Sequence, residues 1–159
     1  MTEEERFRHV MGHFATGVAV VTGLSGDGEA LGFTANAVAS VSLNPRLVLV
    51  CVDHDSASLP SLQRRGAFAL SFLGAAQEEV ARRFAGGTRE DRFTGVATRV
   101  EETGAPVLNQ ALAWLDCRIW KEVEAGDHVL LIGQVVRCGG GQDDEPLVFY
   151  RGAYGTVRP

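Results

Sequence analysis

The stretch LGFTANAVASVSLNP, Leu31 to Pro45, decides the fold. A half-buried strand alternates bulky apolar with polar residues. Between Thr34 and Ser42 this one carries almost no bulk. Small side chains let a flat ligand approach the backbone. Thr34, Asn36, Ser40 and Ser42 then offer hydroxyls and an amide to the edge of a polar heterocycle. The same residues suit an edge strand, or a strand packed beneath a helix, equally well.

Working outward, "TGVAVVTG" reads as a strand, "SGDGE" as a tight turn and "ALGFTANAVASVSL" as the return strand, because Asp-Gly tolerates positive φ. "NPRLVLVCVD" is a buried strand that Pro45 opens. "SASLPSLQRRG" is a short helix, with Ser58 as N-cap candidate and Gly66 as terminator. "AFALSFLG" is a strand, "AAQEEVARRFAGG" a helix burying Val80 and Phe84, and "TREDRFTGV" a loop. From Trp114 the period is two, and "EAGD" joins "LDCRIWKEV" to "HVLLIGQVVRC" as a hairpin. "GGGQDDEP" reads as a flexible acidic loop before a last strand in "LVFYRGAYGTV". At the N-terminus, Thr2 to Phe14 forms an amphipathic helix. Thr2 and Glu5 make a capping box, and Phe7, Val10, Met11 and Phe14 make one apolar face. Six or seven hairpin-linked strands with two or three helices between them fit a closed antiparallel barrel, not a doubly wound parallel sheet.

Length and composition agree. A chain of 159 residues, 45% apolar, is expected to be one domain, 1–159, with a real core. Its net charge of −5 gives no basic footprint for nucleic acid. Any anionic ligand must be caught by local hydrogen bonds. The longest apolar runs are strand length, so no membrane span is expected. Cys51, Cys117 and Cys138 form no CxxC pair and no zinc spacing, and read as reduced core thiols of a cytoplasmic protein. His9 and His13 stand about one turn apart, but nothing completes a metal set, and a solvated face is expected. Trp114 and Trp120 flank Cys117 and read as core or interface.

Motifs for the commonest chemistries are missing. There is no Walker A loop, no HExxH, no GxSxG and no GxGxxG opening a helix. A nucleotide cofactor, if handled, is handled without a Rossmann cradle.

Five segments together resemble a known family. "FATGVAVVTG", "GFTANAVASVSLNPRLVLVCVD", "FAGGTREDRF", "GDHVLLIGQV" and "LVFYRGAYG" occur in the order of the flavin reductase-like family, from about Phe7 to Gly155. The chain is especially similar to the small NAD(P)H:flavin reductases that serve two-component flavin-dependent monooxygenases. The resemblance implies a mainly β fold, an antiparallel Greek-key split barrel with a few short helices. It also implies hydride transfer from NADH or NADPH to FMN or FAD, a separate monooxygenase as partner, and a homodimer. The alternative is a non-catalytic split-barrel protein that holds FMN for storage, sensing or electron relay.

By the same resemblance, Thr34, Ala35, Asn36, Ala37, Ser40 and Val41 would line the isoalloxazine ring. Cys51, Val52, Asp53, Ser56 and Ser58 would pass near the ribityl chain and phosphate. Phe84 and Ala85 would close over the flavin. His128 would stand where nicotinamide meets flavin, as the catalytic residue, and Tyr150, Arg151, Gly152 and Tyr154 would complete the nicotinamide side. Arg151 meets either an anionic cofactor group or a surface carboxylate. Two departures stand out. Ala37 replaces a frequent serine, and "DHD" puts Asp53 and Asp55 around His54 where a basic residue is frequent. Both suit a flavin that passes through as a substrate.

Overall fold

The computed structural model describes residues 1–141 and 144–157, so Gln142 and Asp143 of the expected acidic loop lie outside the described residues. Helix α1 covers Glu3–Met11, shorter than the expected span. Its capping box is present: Glu5 N–H donates to Thr2 Oγ1 at 3.1 Å, and Thr2 N–H donates to Glu5 Oε2 at 2.7 Å. The expected first strand divides at Val18 into β1, Thr16–Gly17, and β2, Ala19–Leu24. The long return strand also divides, at Asn36 and Ala37, into β3, Ala30–Ala35, and β4, Val38–Leu43. Then come β5, Arg46–Asp53; α2, Leu59–Arg65; and β6, Ala67–Phe72. Gly66 ends α2 at φ 66, but Ser58 makes no side-chain cap bond.

A single 3-10 turn, Ala75–Gln77, leads into α3, Glu78–Gly86. The segment expected as a loop contains a one-turn helix, α4, Arg89–Arg92, and a two-stranded ribbon of β7, Thr98–Val100, and β8, Pro106–Leu108, follows. The long hairpin is β9, Ala113–Ala125, with β10, His128–Gly140, and the last hairpin is β11, Leu147–Tyr150, with β12, Ala153–Thr156. Among the described residues no helix is long and apolar enough to cross a membrane.

Seven strands form one antiparallel sheet in the order β3-β2-β6-β9-β10-β5-β4. Its two edges, β3 and β4, are consecutive in the chain and separated by only two residues. Three virtual bonds from Ala35 to Val38 span at most about 11 Å. The sheet must therefore curl until its edges nearly meet. That is a split barrel, and Asn36 and Ala37 cross the split.

The barrel interior is filled by Val21, Leu31, Val48, Val50, Val52, Phe68, Leu70, Val129 and Leu131, with Leu59 and Leu62 of α2 as the plug. A second core lies outside the barrel wall, where Val18 and Val20 meet Phe84, Leu108 and Leu147. Strand β2 is covered on both faces, which explains its near-continuous apolar run. Cys117 is buried as expected, whereas Cys51 is half-buried and Cys138 exposed, so only one of the three thiols belongs to the core proper. Trp114 packs partly buried beside Ala105 and Val107, while Trp120 is 54% exposed.

Candidate active site

The split opens into a cavity of about 390 Å³, large enough for a ligand of cofactor size. One wall is Phe33 to Ala37, where β3 ends and crosses toward β4. Asn36 and Ala37 belong to neither strand ladder, so among the described residues their backbone N–H groups have no backbone partner at this wall. Only the Ala37 carbonyl is engaged, accepting from Cys51 N–H at 3.0 Å. The small side chains expected for a flat ligand therefore stand where the backbone itself is available.

The opposite wall comes from the end of β5 and the turn after it: Cys51, Asp53, Ser56, Ala57 and Ser58. Asp53 Oδ1 accepts from Asp55 N–H at 2.8 Å, an Asx turn that holds this carboxylate to its own loop. Ser56 Oγ accepts from Ser58 N–H at 3.4 Å and keeps its proton free to donate. Ser58 is buried, and its hydroxyl has no side-chain bond to the helix it precedes. Burial pushes the Cys51 thiol up from its ordinary value, so this sulfur faces the cavity as a neutral group.

Helices α3 and α4 cover the cavity with Phe84, Ala85 and Arg92. Thr34 Oγ1 donates to Ala81 O at 2.6 Å and ties β3 to α3. Its proton is thereby committed, and Thr34 faces the cavity as an acceptor only. Phe84 is fully buried and stacks edge-on against Phe93 at 4.9 Å, so it serves the second core as well as the cavity roof.

Arg92 has no counterpart in the sequence-based expectations. Its Nη1 donates to Gly32 O at 2.6 Å and its Nε to Gly87 O at 3.1 Å, which fixes the guanidinium in the wall. It is the only arginine or lysine lining this cavity. A signal for α4 was present: Thr88 and Asp91 have capping spacing, and Asp91 N–H donates to Thr88 Oγ1 at 3.3 Å.

His128 stands at the rim, paired in register with Asp53. Its Nδ1 lies 2.7 Å from Asp127 Oδ1, so Nε2 is the nitrogen left for a ligand. That bond holds the Asp127 carboxyl below its ordinary range. His54 faces away from the cavity: its Nε2 pairs with Glu124 at 2.8 Å, and its N–H donates to Asp127 O at 3.0 Å. The "DHD" loop is thus pinned to the hairpin that carries His128.

Of the remaining expected site residues, Tyr154 lines a smaller neighbouring cavity of about 180 Å³ with Val18, Phe149, Thr34, Ala35, Asn36 and Ala85. Four of those residues also line the main cavity, so the two adjoin. Arg82 lies over the Tyr154 ring at 5.0 Å. Arg151 and Gly152 line a different cleft, against α1. Tyr150 is exposed beside His13. Ser40 and Val41 lie on β4 beyond the crossing, outside the cavity, and Ser40 borders a groove on the far side of that strand. Val52 points into the barrel interior at 1% exposure, as alternation from Cys51 requires.

Curled sheet, crossing segment and rim histidine define a split barrel built to hold a flat ligand at its seam. The chain belongs to the flavin reductase like domain family, whose model matches residues 11–158. It is 40% identical over 149 residues to a flavin reductase of Pseudomonas putida, covering 94% of this chain and 87% of that one. It is 35% identical to HsaB of Rhodococcus jostii, the reductase subunit of a flavin-dependent monooxygenase, over 99% of this chain and 80% of that one. The NADH:FAD oxidoreductase SgcE6 of Streptomyces globisporus superposes with a TM-score of 0.92 at 39% identity, over 99% of this chain and 95% of that one.

Proposed function

We propose that this chain is an NAD(P)H:flavin oxidoreductase. It passes a hydride from a reduced nicotinamide to FMN or FAD and supplies the reduced flavin to a separate flavin-dependent monooxygenase. The observation that carries this reading is the seam. Free backbone N–H groups at Asn36 and Ala37, small side chains around them and the rim His128 converge on one cavity. Flavin relatives of both kinds, stand-alone reductases and monooxygenase reductase subunits, support it.

The residues fit the cofactor. A bound flavin supplies the hydride-accepting chemistry, and the protein supplies placement. Asn36 and Ala37 offer donors to a heterocycle edge. Ser56 and Ser58 offer hydroxyls along the β5 wall. Arg92 sets a fixed positive charge in the wall, which offsets the acidic "DHD" loop and gives a phosphate its partner. Tyr154, Phe149 and Val18 form the apolar adjoining cavity, suited to a nicotinamide ring. His128 Nε2 aims at the junction. No residue here is asked to hold or move a proton in the hydride step, which is why no triad occurs.

We read residues 1–159 as one flavin reductase-like domain, cytoplasmic and homodimeric. Three free cysteines support a reducing compartment. The exposed apolar face of α1 supports self-association.

The first test follows NADH and NADPH absorbance with and without added FMN or FAD. Consumption that requires free flavin supports the reductase. A strongly yellow protein, inert to both nicotinamides, overturns it in favour of a resident-flavin protein. Within this reading Arg92→Gln weakens FMN binding by about tenfold, the scale of one charge-assisted hydrogen bond. Fluorescence quenching measures it, and an unchanged affinity removes Arg92 from the phosphate site.

A further inference from the structure

Helix α1 is turned the opposite way from an ordinary surface helix. At 100° per residue, Glu5, Arg8, His9 and Gly12 share one face, and Phe7, Val10, Met11 and Phe14 share the other. The polar face lies against the chain's own body, where Glu5, Arg8, His9 and Gly12 meet Arg151 and Gly152 of the β11–β12 turn. Between them is a cleft of about 370 Å³.

The cleft gathers positive charge without neutralising it. Among the described residues neither the Arg8 nor the Arg151 guanidinium has an ion pair or a hydrogen bond. The carboxylate at the cleft, Glu5, accepts from Thr2 N–H in the capping box at 2.7 Å. The carbonyls at the end of α1 are already satisfied. Arg8 O accepts from Gly12 N–H at 2.9 Å, His9 O lies 2.8 Å from His13 Nδ1, and Gly12 O accepts from Arg151 N–H at 2.9 Å. The arginine side chains are therefore not needed as helix caps. In a chain of net charge −5, two unpaired guanidiniums and an imidazole on one cleft form a local exception.

The backbone places Arg151 there against its preference. It is the only non-glycine residue with positive φ among the described residues, at 51°, followed by Gly152 at 79°. A two-residue turn with both φ positive favours Asn-Gly or Gly-Gly. Arginine at the first position is strained, and strain of this kind is held where the side chain has a task. Glycine at position 12 permits the approach: a Cβ there would meet Arg151 Cα at 3.5 Å.

The same hairpin carries Tyr154, which lines the apolar cavity adjoining the main one. One hairpin thus joins an apolar pocket for a ring to a cationic cleft. We propose that the cleft formed by Arg8, His9 and Arg151 binds the phosphates of the adenosine half of the nicotinamide dinucleotide. This rests on the reductase reading and adds to it a second anchoring point outside the flavin cavity. It also gives Arg151 the anionic partner that the sequence left open. The apolar face of α1 points away from the cleft, so covering that face leaves the cleft accessible.

The experiment is calorimetric titration with two fragments that undergo no redox chemistry, adenosine 5′-diphosphate and adenosine 2′,5′-bisphosphate. Wild-type protein is compared with Arg8→Gln and Arg151→Gly. Glycine relieves the φ at position 151, so weaker binding there is not a folding defect. Expected is a loss of about tenfold or more in affinity for at least one fragment in both variants, with flavin affinity unchanged. Selective loss for the 5′-diphosphate identifies the phosphates common to both dinucleotides, and selective loss for the 2′,5′-bisphosphate identifies the phosphate particular to NADPH. Wild-type protein that binds neither fragment, or variants that bind both as wild type does, overturns the proposal. Because no turnover is involved, a protein that fails to oxidise NADH or NADPH defeats the reductase reading separately.

Discussion

A single rim histidine can be useful to hydride transfer without acting as an acid or base. His128 is held at Nδ1 by Asp127, so the ring presents Nε2 in one orientation. Orientation is worth rate when two ring systems must meet face to face. His128→Ala should lower kcat/KM for NADH by roughly tenfold and leave FMN affinity within about twofold, since positioning is lost while the flavin wall stays intact. Steady-state oxidation beside fluorescence titration separates the two, and wild-type turnover in the variant removes His128 from the site. The Asp127 carboxyl, depressed by its bond to His128, stays ionised above the ordinary carboxylate range of about 4. The pair therefore weakens only as pH falls through that depressed value, and a turnover limb near neutral pH belongs to some other group.

The thiols sort by burial in the same way. The Cys117 thiol is pushed up to about 12, first by burial, then by the neighbouring Asp116 and Cys138. At pH 8 it should resist iodoacetamide while exposed Cys138 reacts, and Cys51 should react slowly and be shielded by added FMN. Mass spectrometry of labelled peptides reads all three, and labelling of Cys117 in the native state would contradict the barrel interior described above. The sign for stability follows. Above pH 9 the unfolded thiol ionises while the folded one stays protonated, so Cys117 subtracts stability as pH rises from 9 toward 12.

At the level of elements, hairpins with strong turn chemistry were legible and subtler breaks were not. Asp27-Gly28 and Ala125 to His128 announced their turns, and Gly28 and Gly126 do take positive φ, 82° and 62°. The division of "ALGFTANAVASVSL" into β3 and β4 was not announced, because no glycine or proline marks Asn36 or Ala37. What breaks that strand is tertiary: its two halves pair with different neighbours, β2 and β5, at opposite edges of one sheet. This is also why Ser40 and Val41, expected beside Ala37, lie outside the cavity. The seam itself was legible as a run of small residues, but its geometry needed the sheet order.

The barrel wall tolerates little more bulk at its tightest point. A Cβ on Gly133, beside the irregularity between β9 and β10, would fall 2.6 Å from Phe68 Cζ and 2.8 Å from Cys117 Cβ. Gly133→Ala should cost about 1–3 kcal/mol, the usual penalty of overpacking, and lower Tm by about 2–4 °C per kcal/mol. Thermal melts check it, and an unchanged Tm means the wall at Phe68 is looser than described.

For the whole molecule, the unresolved balance is the outward face of α1. Phe7, Val10, Met11 and Phe14 are 67%, 60%, 50% and 72% exposed, and no residue of α1 is buried. A nine-residue helix is too short to persist in water on propensity alone, since isolated helices below about 12–15 residues are marginal. Its capping box and the Arg151–Gly12 bond hold the two ends, but neither covers the four apolar side chains. Covering each such side chain contributes about 1.5–3 kcal/mol, less what is already shaded, which is enough to favour association. A second copy is the simplest cover, because a two-fold axis sets the same apolar stripe against itself. Wild-type protein at micromolar concentration should have twice the mass of one chain by light scattering. Phe7→Asp with Phe14→Asp should return it to one chain and reduce helical circular dichroism. A dimer that survives both aspartates has its contact elsewhere, and the edge strand β4, with Leu43 at 89% exposure, is then the surface to change next.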